Sequence, residues 1–389
     1  MAVADPGVLA AAFGGVVLDL DGVVYVGDQA VPAAPAALEE LRGLGVRLAF
    51  VTNNSYRPPG QVVERLGRLG VKAAVEEVLT SAQSTVRLLG GGQGLARKAV
   101  LVLGGPGLRQ ALEAAGARLV DAEEWRQAEV VVAGFDPDLT YGRVKAAALA
   151  IRAGARFVGS NPDATLPAPD GLWPGAGATL AMLQAATGVR PEVAGKPEPA
   201  LFETAAAAIG PGPYLMVGDR ADTDLDGAHR LGWTTALVLS GVARPADLPD
   251  LAVAPDHLLA DVGGLLDPPG PAIRPAGLRG AAGTEGPAGL DGGTLVAVEG
   301  ERVAGRVAWR RLDGGLVLLE GPAVEEGWRG RLLGTRLVVA ACVQARAAGA
   351  RRVAADAGAE GFLERLGFRR SGPDGRLLRD LPAAGGGQR

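Results

Sequence analysis

Three apolar runs in this sequence stop on the same kind of chemistry. Val16-Val17-Leu18 runs into Asp19-Leu20-Asp21-Gly22, Val46–Val51 into Thr52-Asn53-Asn54-Ser55, and Tyr214–Val217 into Gly218-Asp219. Short runs with β-branched residues read as buried strands. Between the first two, Ala36–Leu44 has helical spacing and Gly45 ends it. A strand, a helix and a strand make a right-handed parallel unit, so both strands end on one sheet edge. Ligands of open α/β sheets bind at that C-terminal edge. The pattern restricts the front of the chain to a parallel α/β sheet whose polar tips converge.

The tips define a chemistry. Residues i and i+2 of an extended chain point the same way, so Asp19 and Asp21 can face one site. Two close carboxylates repel each other, and a cation removes that cost. Oxygen ligands suit Mg²⁺. Thr52 and Asn53 offer a hydroxyl and an amide that can hold phosphate oxygens without adding charge. Each motif has a simpler reading beside it. Asp-Gly is a turn dipeptide, Thr-Asn-Asn-Ser can cap the helix beginning near Pro58-Pro59, and Lys196, between Gly195 and Pro197, can be a solvated charge. The recurrence of the chemistry on three distant strands favours one shared site.

A second αβ pattern lies between these strands. Ala99–Leu103, Val130–Ala133 and Arg156–Val158 read as strands, and Leu108–Ala115, Tyr141–Ala153 and Ala178–Thr187 as helices. Gly90-Gly91-Gly92-Gln93-Gly94 reads as a flexible break, and Gly159–Pro167 as a stiff polar loop. After the strand at 214–217, the helix Leu225–Leu231 and the strand Thr235–Leu239 complete the pattern. The 389 residues suggest two or three domains. The net charge of −4 argues against nucleic acid as a partner. The single cysteine, Cys342, rules out an internal disulfide and gives no sign of an oxidising compartment. No apolar run is long enough to span a membrane, so a cytoplasmic location is expected.

Taken together, Asp19-Leu20-Asp21-Gly22-Val23-Val24-Tyr25, Thr52-Asn53-Asn54, Lys196 and Gly218-Asp219 with Thr223-Asp224 resemble the four motifs of the haloacid dehalogenase-like phosphatases. The wording is most similar to the p-nitrophenyl phosphatase and phosphoglycolate phosphatase branch. The resemblance covers residues 12–265. It implies a doubly wound, Rossmann-like parallel-sheet core with an inserted α/β cap: core at 1–83 and 185–266, cap at 84–184. It also implies roles. Asp19 is the nucleophile and Asp21 the acid and base. Thr52, Asn53, Lys196 and Gly22 bind phosphate. Asp19, Asp219 and the Asp21 backbone carbonyl hold Mg²⁺, with Asp224 orienting that site from behind. Asn161 and Asp163 in the cap loop are expected to set specificity for a small hydroxylated phosphate ester.

The rear of the chain changes character. A Pro/Gly-rich linker is expected at 267–292. Beyond it, Thr294–Val298, Arg302–Arg310, Leu316–Glu320 and Arg352–Ala355 read as strands, and the stretch Val324–Leu337 enters a long helix reaching Ala348. With Arg329-Gly330-Arg331-Leu332-Leu333-Gly334, this part resembles the GNAT acetyltransferases, an α+β domain over 293–389. It departs from them at three points. Leu332 stands in place of the first loop glycine, Leu363 in place of a tyrosine acid, and the helices that frame the acceptor site are missing. An inactive domain is expected, with a CoA-type ligand as a weaker expectation. The two-part layout resembles the actinobacterial glycerol 3-phosphate phosphatases, which makes that ester the first expectation and a small phosphorylated metabolite the partner. Phosphoglycolate or a nucleotide is the alternative substrate. An acyltransferase or CoA sensor whose front domain only binds a ligand is the alternative class. A homo-oligomer is compatible with the sequence.

Overall fold

The structure is a computed structural model and describes residues 7–168, 170–276, 292–371 and 376–383. It divides into two compact units. One is built mainly from Ala10–Val217 with Gly227–Thr234, the other from Gly218–Asp226 with Thr235–Arg389.

The first unit carries two parallel sheets. In one, the strands lie in the order Val78–Thr80, Leu48–Thr52, Gly15–Asp19, Tyr214–Gly218, all parallel. Every residue of the first and second of the expected strands is buried, which is why these runs are apolar without alternation. One face packs Val17, Ala49, Val51, Leu79 and Met216 against Leu201, Phe202, Ala205 and Ile209. Those four recur at helical spacing on Pro199–Ile209, whose proline opens the first turn. Phe202 alone, 1% exposed, contributes about 1.5–3 kcal/mol by burial.

The second sheet has the order Glu192–Val193, Arg156–Gly159, Val130–Ala133, Ala99–Leu103, Arg118–Val120, again all parallel. Alternate residues serve opposite faces. Leu101, Leu103, Val131 and Ala133 pack on one side and Val100, Val102, Val130 and Val132 on the other. Glu192–Val193 lies beyond the range 84–184 expected for the cap, yet it is an edge strand of this sheet. Two other expectations change. Gly91–Leu95 is a short helix, not a break. Thr165–Ala168 and Gly171–Pro174 form an antiparallel hairpin where a loop was expected. Gly171–Pro174 is exposed throughout, so it carries no alternating apolar pattern from which to read a strand.

The second unit holds the parallel strand His257–Leu259 and a seven-stranded mixed sheet in the order Ala272–Pro275, Gly292–Glu299, Arg302–Arg311, Leu316–Val324, Arg352–Ala355, Arg376–Asp380, Arg369–Ser371. Its one parallel pair is Leu316–Val324 with Arg352–Ala355. Leu333–Ala347 covers one face, burying Leu337, Val338, Ala341, Cys342 and Ala345 against Leu295, Val307, Trp309 and Leu319. Ala272–Pro275 pairs with Gly292–Glu299, so the segment expected as linker contributes an edge strand; 277–291 lies outside the described residues. The rest of the unit is joined to this domain closely. Leu225, Leu237, Leu248 and Leu258 share an apolar cluster with Val339. Arg346 donates to the carbonyls of Asp250 and Leu251, Arg336 to that of Asp256, and Arg379 pairs with the Asp250 carboxylate. Among the described residues, no helix is long and apolar enough to cross a membrane.

Candidate active site

The register of the sheet places the acidic tips. Leu18 lies opposite Val217 and Asp19 opposite Val51, so Thr52 and Gly218-Asp219 come up within a residue of the nucleophile's level. Asp19, Asp219 and Asp224 are all buried, and each offers a carboxylate oxygen within 4.8 Å of the others. Asp224, expected to stand behind such a site, contributes to the cluster itself. Gly218 makes this approach possible, since a Cβ there would stand 2.3 Å from Asp224 Cβ. The Arg220 amide donates to Asp224 Oδ2 at 3.1 Å and the Val242 amide to Asp219 Oδ2 at 2.7 Å, which fixes two of the three carboxylates from the main chain.

Three buried carboxylates repel one another strongly, and a hard divalent cation with oxygen preference is the group that such a donor set fits. Mg²⁺ meets that requirement. The Asp21 side chain is turned elsewhere: its Oδ2 accepts from the Tyr25 hydroxyl at 3.3 Å. Asp21 is not among the carboxylates of the cluster.

Lys196 supplies the positive charge of the site. Its ammonium lies 2.8 Å from Asp19 Oδ1, with both side chains almost wholly buried. Burial pushes the Asp19 carboxyl up from its usual range, and the Lys196 charge and hydrogen bond pull it back. Asp21 is also raised, by desolvation among the surrounding protein atoms although its tip reaches solvent, with Arg65 and the Tyr25 hydrogen bond opposing. A raised carboxyl suits a group that must hand over a proton near neutral pH.

Asn53 sits differently from the expectation that it hydrogen-bonds phosphate. Its Oδ1 accepts from the Lys196 amide at 2.8 Å, and its Nδ2 donates to the Lys196 carbonyl at 3.0 Å and to Asp163 Oδ2 at 3.0 Å. The side chain therefore clamps the lysine's main chain, and Gly195 leaves room for it: a Cβ there would stand 2.6 Å from Asn53 Oδ1. Thr52, 4% exposed, ends its strand with the hydroxyl accepting from the Asn54 amide at 3.1 Å. Asn161 is buried, with Nδ2 on the Asn53 carbonyl at 2.7 Å and Oδ1 accepting from the Asp163 amide at 3.2 Å. It positions the loop, while half-buried Asp163 is brought beside Asn53. Gly22 turns the chain at φ 82° and its amide donates to the Tyr25 carbonyl. Tyr25 ends the first motif without a role assigned to it, and Arg65 was not singled out from the sequence. The 40 positions that separate them carry no pattern linking the two.

Family models match three stretches of the chain. A haloacid dehalogenase-like hydrolase model covers residues 16–118 and a second model of HAD-like hydrolases covers 193–265. An acetyltransferase (GNAT) family model covers 282–368. The D-glycerol 3-phosphate phosphatase of Mycobacterium tuberculosis is 43% identical over 225 residues, 58% of this chain and only 62% of that relative's length. The acid sugar phosphatase of Staphylococcus aureus is 36% identical over 247 residues, 63% of this chain and 93% of the relative. A crystal structure of a glycerol phosphate phosphatase from M. tuberculosis in complex with magnesium superposes with a TM-score of 0.71 at 32% identity, covering 92% of this chain and 98% of that one.

The rear domain matches the acetyltransferase family, and its loop before the long helix carries a leucine in a glycine-like conformation. Leu332 holds a left-handed conformation, φ 57°, at the start of Leu333–Ala347. Its side chain packs on the Leu225, Leu237, Leu248, Leu258 and Val339 cluster. A non-glycine residue there costs about 1–3 kcal/mol in backbone strain and is held by surrounding packing.

Proposed function

We propose, from the premise that this chain belongs to the haloacid dehalogenase-like hydrolases, that it is a Mg²⁺-dependent phosphatase of small hydroxylated phosphomonoesters, with glycerol 3-phosphate the first substrate to test. The observation that carries this reading is the 2.8 Å contact between Asp19 and Lys196 beside the three-carboxylate cluster. It supports a reading in which Asp19 is the nucleophile, Lys196 binds phosphate and the carboxylates hold the metal.

Bound Mg²⁺ supplies charge neutralisation for a phosphoryl group among carboxylates. The chain's own residues do the rest. An Asp19 oxygen attacks phosphorus, the ester P–O bond breaks, and the departing alkoxide takes the proton from Asp21. Asp21, now ionised, removes a proton from water. That oxygen attacks phosphorus, the Asp19–phosphorus bond breaks, and inorganic phosphate leaves with both aspartates restored. Thr52 and Lys196 hold the phosphoryl oxygens, and Asn53 acts through Lys196. Phosphoryl transfer asks mainly for in-line positioning and charge stabilisation, which this set provides. Asp163, brought beside Asn53, accepts a hydrogen bond from a substrate hydroxyl, which favours glycerol 3-phosphate over an apolar ester. The relative from M. tuberculosis named for glycerol 3-phosphate supports the same choice.

The C-terminal domain acts in this reading as a structural partner of residues 235–266, held by Leu332 and by Arg336, Arg346 and Arg379. The test is phosphate release from a panel of small esters with and without Mg²⁺. Release is expected to require the ion, to be fastest with glycerol 3-phosphate, and to vanish in Asp19→Asn with the circular dichroism spectrum unchanged. Retained activity in Asp19→Asn would sink the nucleophile assignment; faster turnover of phosphoglycolate or a nucleotide would replace the substrate.

A further inference from the structure

Asp21, the proton donor in the reading above, is held by the Tyr25 side chain, to which that reading gives no role. Tyr25 is 3% exposed. The chain from Leu20 folds back so that the amides of Val24 and Tyr25 donate to the Leu20 carbonyl and the Gly22 amide to the Tyr25 carbonyl. This tight turn returns the phenol to Asp21, and its hydroxyl donates to Asp21 Oδ2 at 3.3 Å. The ring is fixed from its other side. The Arg65 guanidinium lies 4.1 Å from the ring centroid, donates to the Gly27 carbonyl at 2.6 Å and pairs with Asp28 at 3.5 Å. Such a stack is attractive, the cation lying over the negative face of the ring.

We infer that Tyr25, braced by Arg65, is a positioning residue that fixes which oxygen of Asp21 carries the transferable proton. A phenol has one O–H. With that hydrogen directed at Oδ2, Oδ2 is the acceptor oxygen of the carboxyl, so the acid proton sits on Oδ1. Oδ1 then delivers it to the departing alkoxide, and the Asp21 carboxylate left behind keeps the Tyr25 bond on Oδ2. The phenol itself stays protonated at neutral pH, well below the ordinary range in which a tyrosine ionises. Tyr25 thus neither gives nor takes a proton. It selects a rotamer and a protonation site for the residue that does.

The inference rests on Asp21 being the acid in the reading above, and the experiment keeps the two apart. Leaving groups differ in their need for a proton: an alkoxide must be protonated as it departs, whereas p-nitrophenolate leaves as the anion. The comparison is kcat/KM, which reports the ester-cleaving step, for glycerol 3-phosphate and for p-nitrophenyl phosphate in wild type, Tyr25→Phe and Arg65→Gln, each with Mg²⁺. Phe keeps the ring, its burial and its stack on Arg65. Tyr25→Phe is expected to lose on the order of tenfold with the alkyl ester, a part of the hundredfold or more that general acid catalysis supplies. With the aryl ester it should stay within about twofold of wild type, since no proton is demanded there. Arg65→Gln is expected to show the same split at smaller size. Equal losses on both esters would mean that the hydroxyl only supports the fold, and would overturn the inference. So would unchanged kinetics on both. Failure of the wild type to hydrolyse either ester would instead strike the phosphatase reading itself, and the inference would fall with it.

Discussion

Replacing Asn53 by Asp is the sharpest probe of how the site is assembled. The substitution changes one atom type and no volume. It removes the Nδ2 donor that serves the Lys196 carbonyl and Asp163 Oδ2, each at 3.0 Å, while leaving an oxygen to accept from the Lys196 amide at 2.8 Å. The new carboxylate oxygen then faces a carbonyl and a second carboxylate. Two unit charges at about 4 Å with an effective dielectric of 20 repel by about 4 kcal/mol. Solvent at this half-buried position and local movement reduce that, and two lost hydrogen bonds add about 1 kcal/mol each. A destabilisation of roughly 3 kcal/mol follows. For a unit of this size it lowers the melting temperature by roughly 6–12 °C. Catalysis should fall further than stability, because a shift in the Lys196 main chain moves its ammonium from Asp19, and a misplacement of about 1 Å can cost about a hundredfold. The assay is thermal unfolding and kcat for Asn53→Asp, Asp163→Asn and the double variant. In the double variant the amide introduced at position 163 can donate to the carboxylate introduced at position 53, so part of the lost stability should return as a favourable coupling of about 1 kcal/mol or more. A single variant that melts within about 1 °C of wild type, or a cycle that is strictly additive, would refute the clamp.

Gly218→Ala is expected to lose most activity and at least about tenfold in Mg²⁺ affinity, measured by metal titration of turnover, because a Cβ there would stand 2.3 Å from Asp224 Cβ. His257 makes the rear unit sensitive to acid. Burial, with help from the Arg336 charge, lowers its folded pKa to about 4 from 6.5. The unfolded chain therefore binds more protons between those values, so stability is complete above about pH 6.5 and is lost as pH falls toward 4, by up to about 3 kcal/mol. Urea midpoints across that range should fall more in wild type than in His257→Gln; parallel curves would refute the assignment.

Much of this protein was legible from the chain alone. The strands 99–103 and 130–133 fall where the sequence places them, because strands covered on both faces are written as unbroken apolar runs. The tips Asp19, Thr52 and Asp219 follow from the strands Gly15–Asp19, Leu48–Thr52 and Tyr214–Gly218, since a parallel sheet brings the ends of its strands to one edge. The short edge strands Arg118–Val120, His257–Leu259 and Ala272–Pro275 were not legible: three or four residues carry too little periodicity, and the last lies in a Pro/Gly-rich stretch.

What the sequence determined by itself is the identity of the reacting groups and the sheet that gathers them, because local apolar patterning encodes strands and helices. What only the tertiary structure decided is how those groups are held. Asn53 meets Lys196 across 143 positions, Arg65 covers Tyr25 across 40, and Arg346 reaches Leu251 across 95. Contacts of that kind leave no period in the sequence; they exist only once packing has brought the partners together.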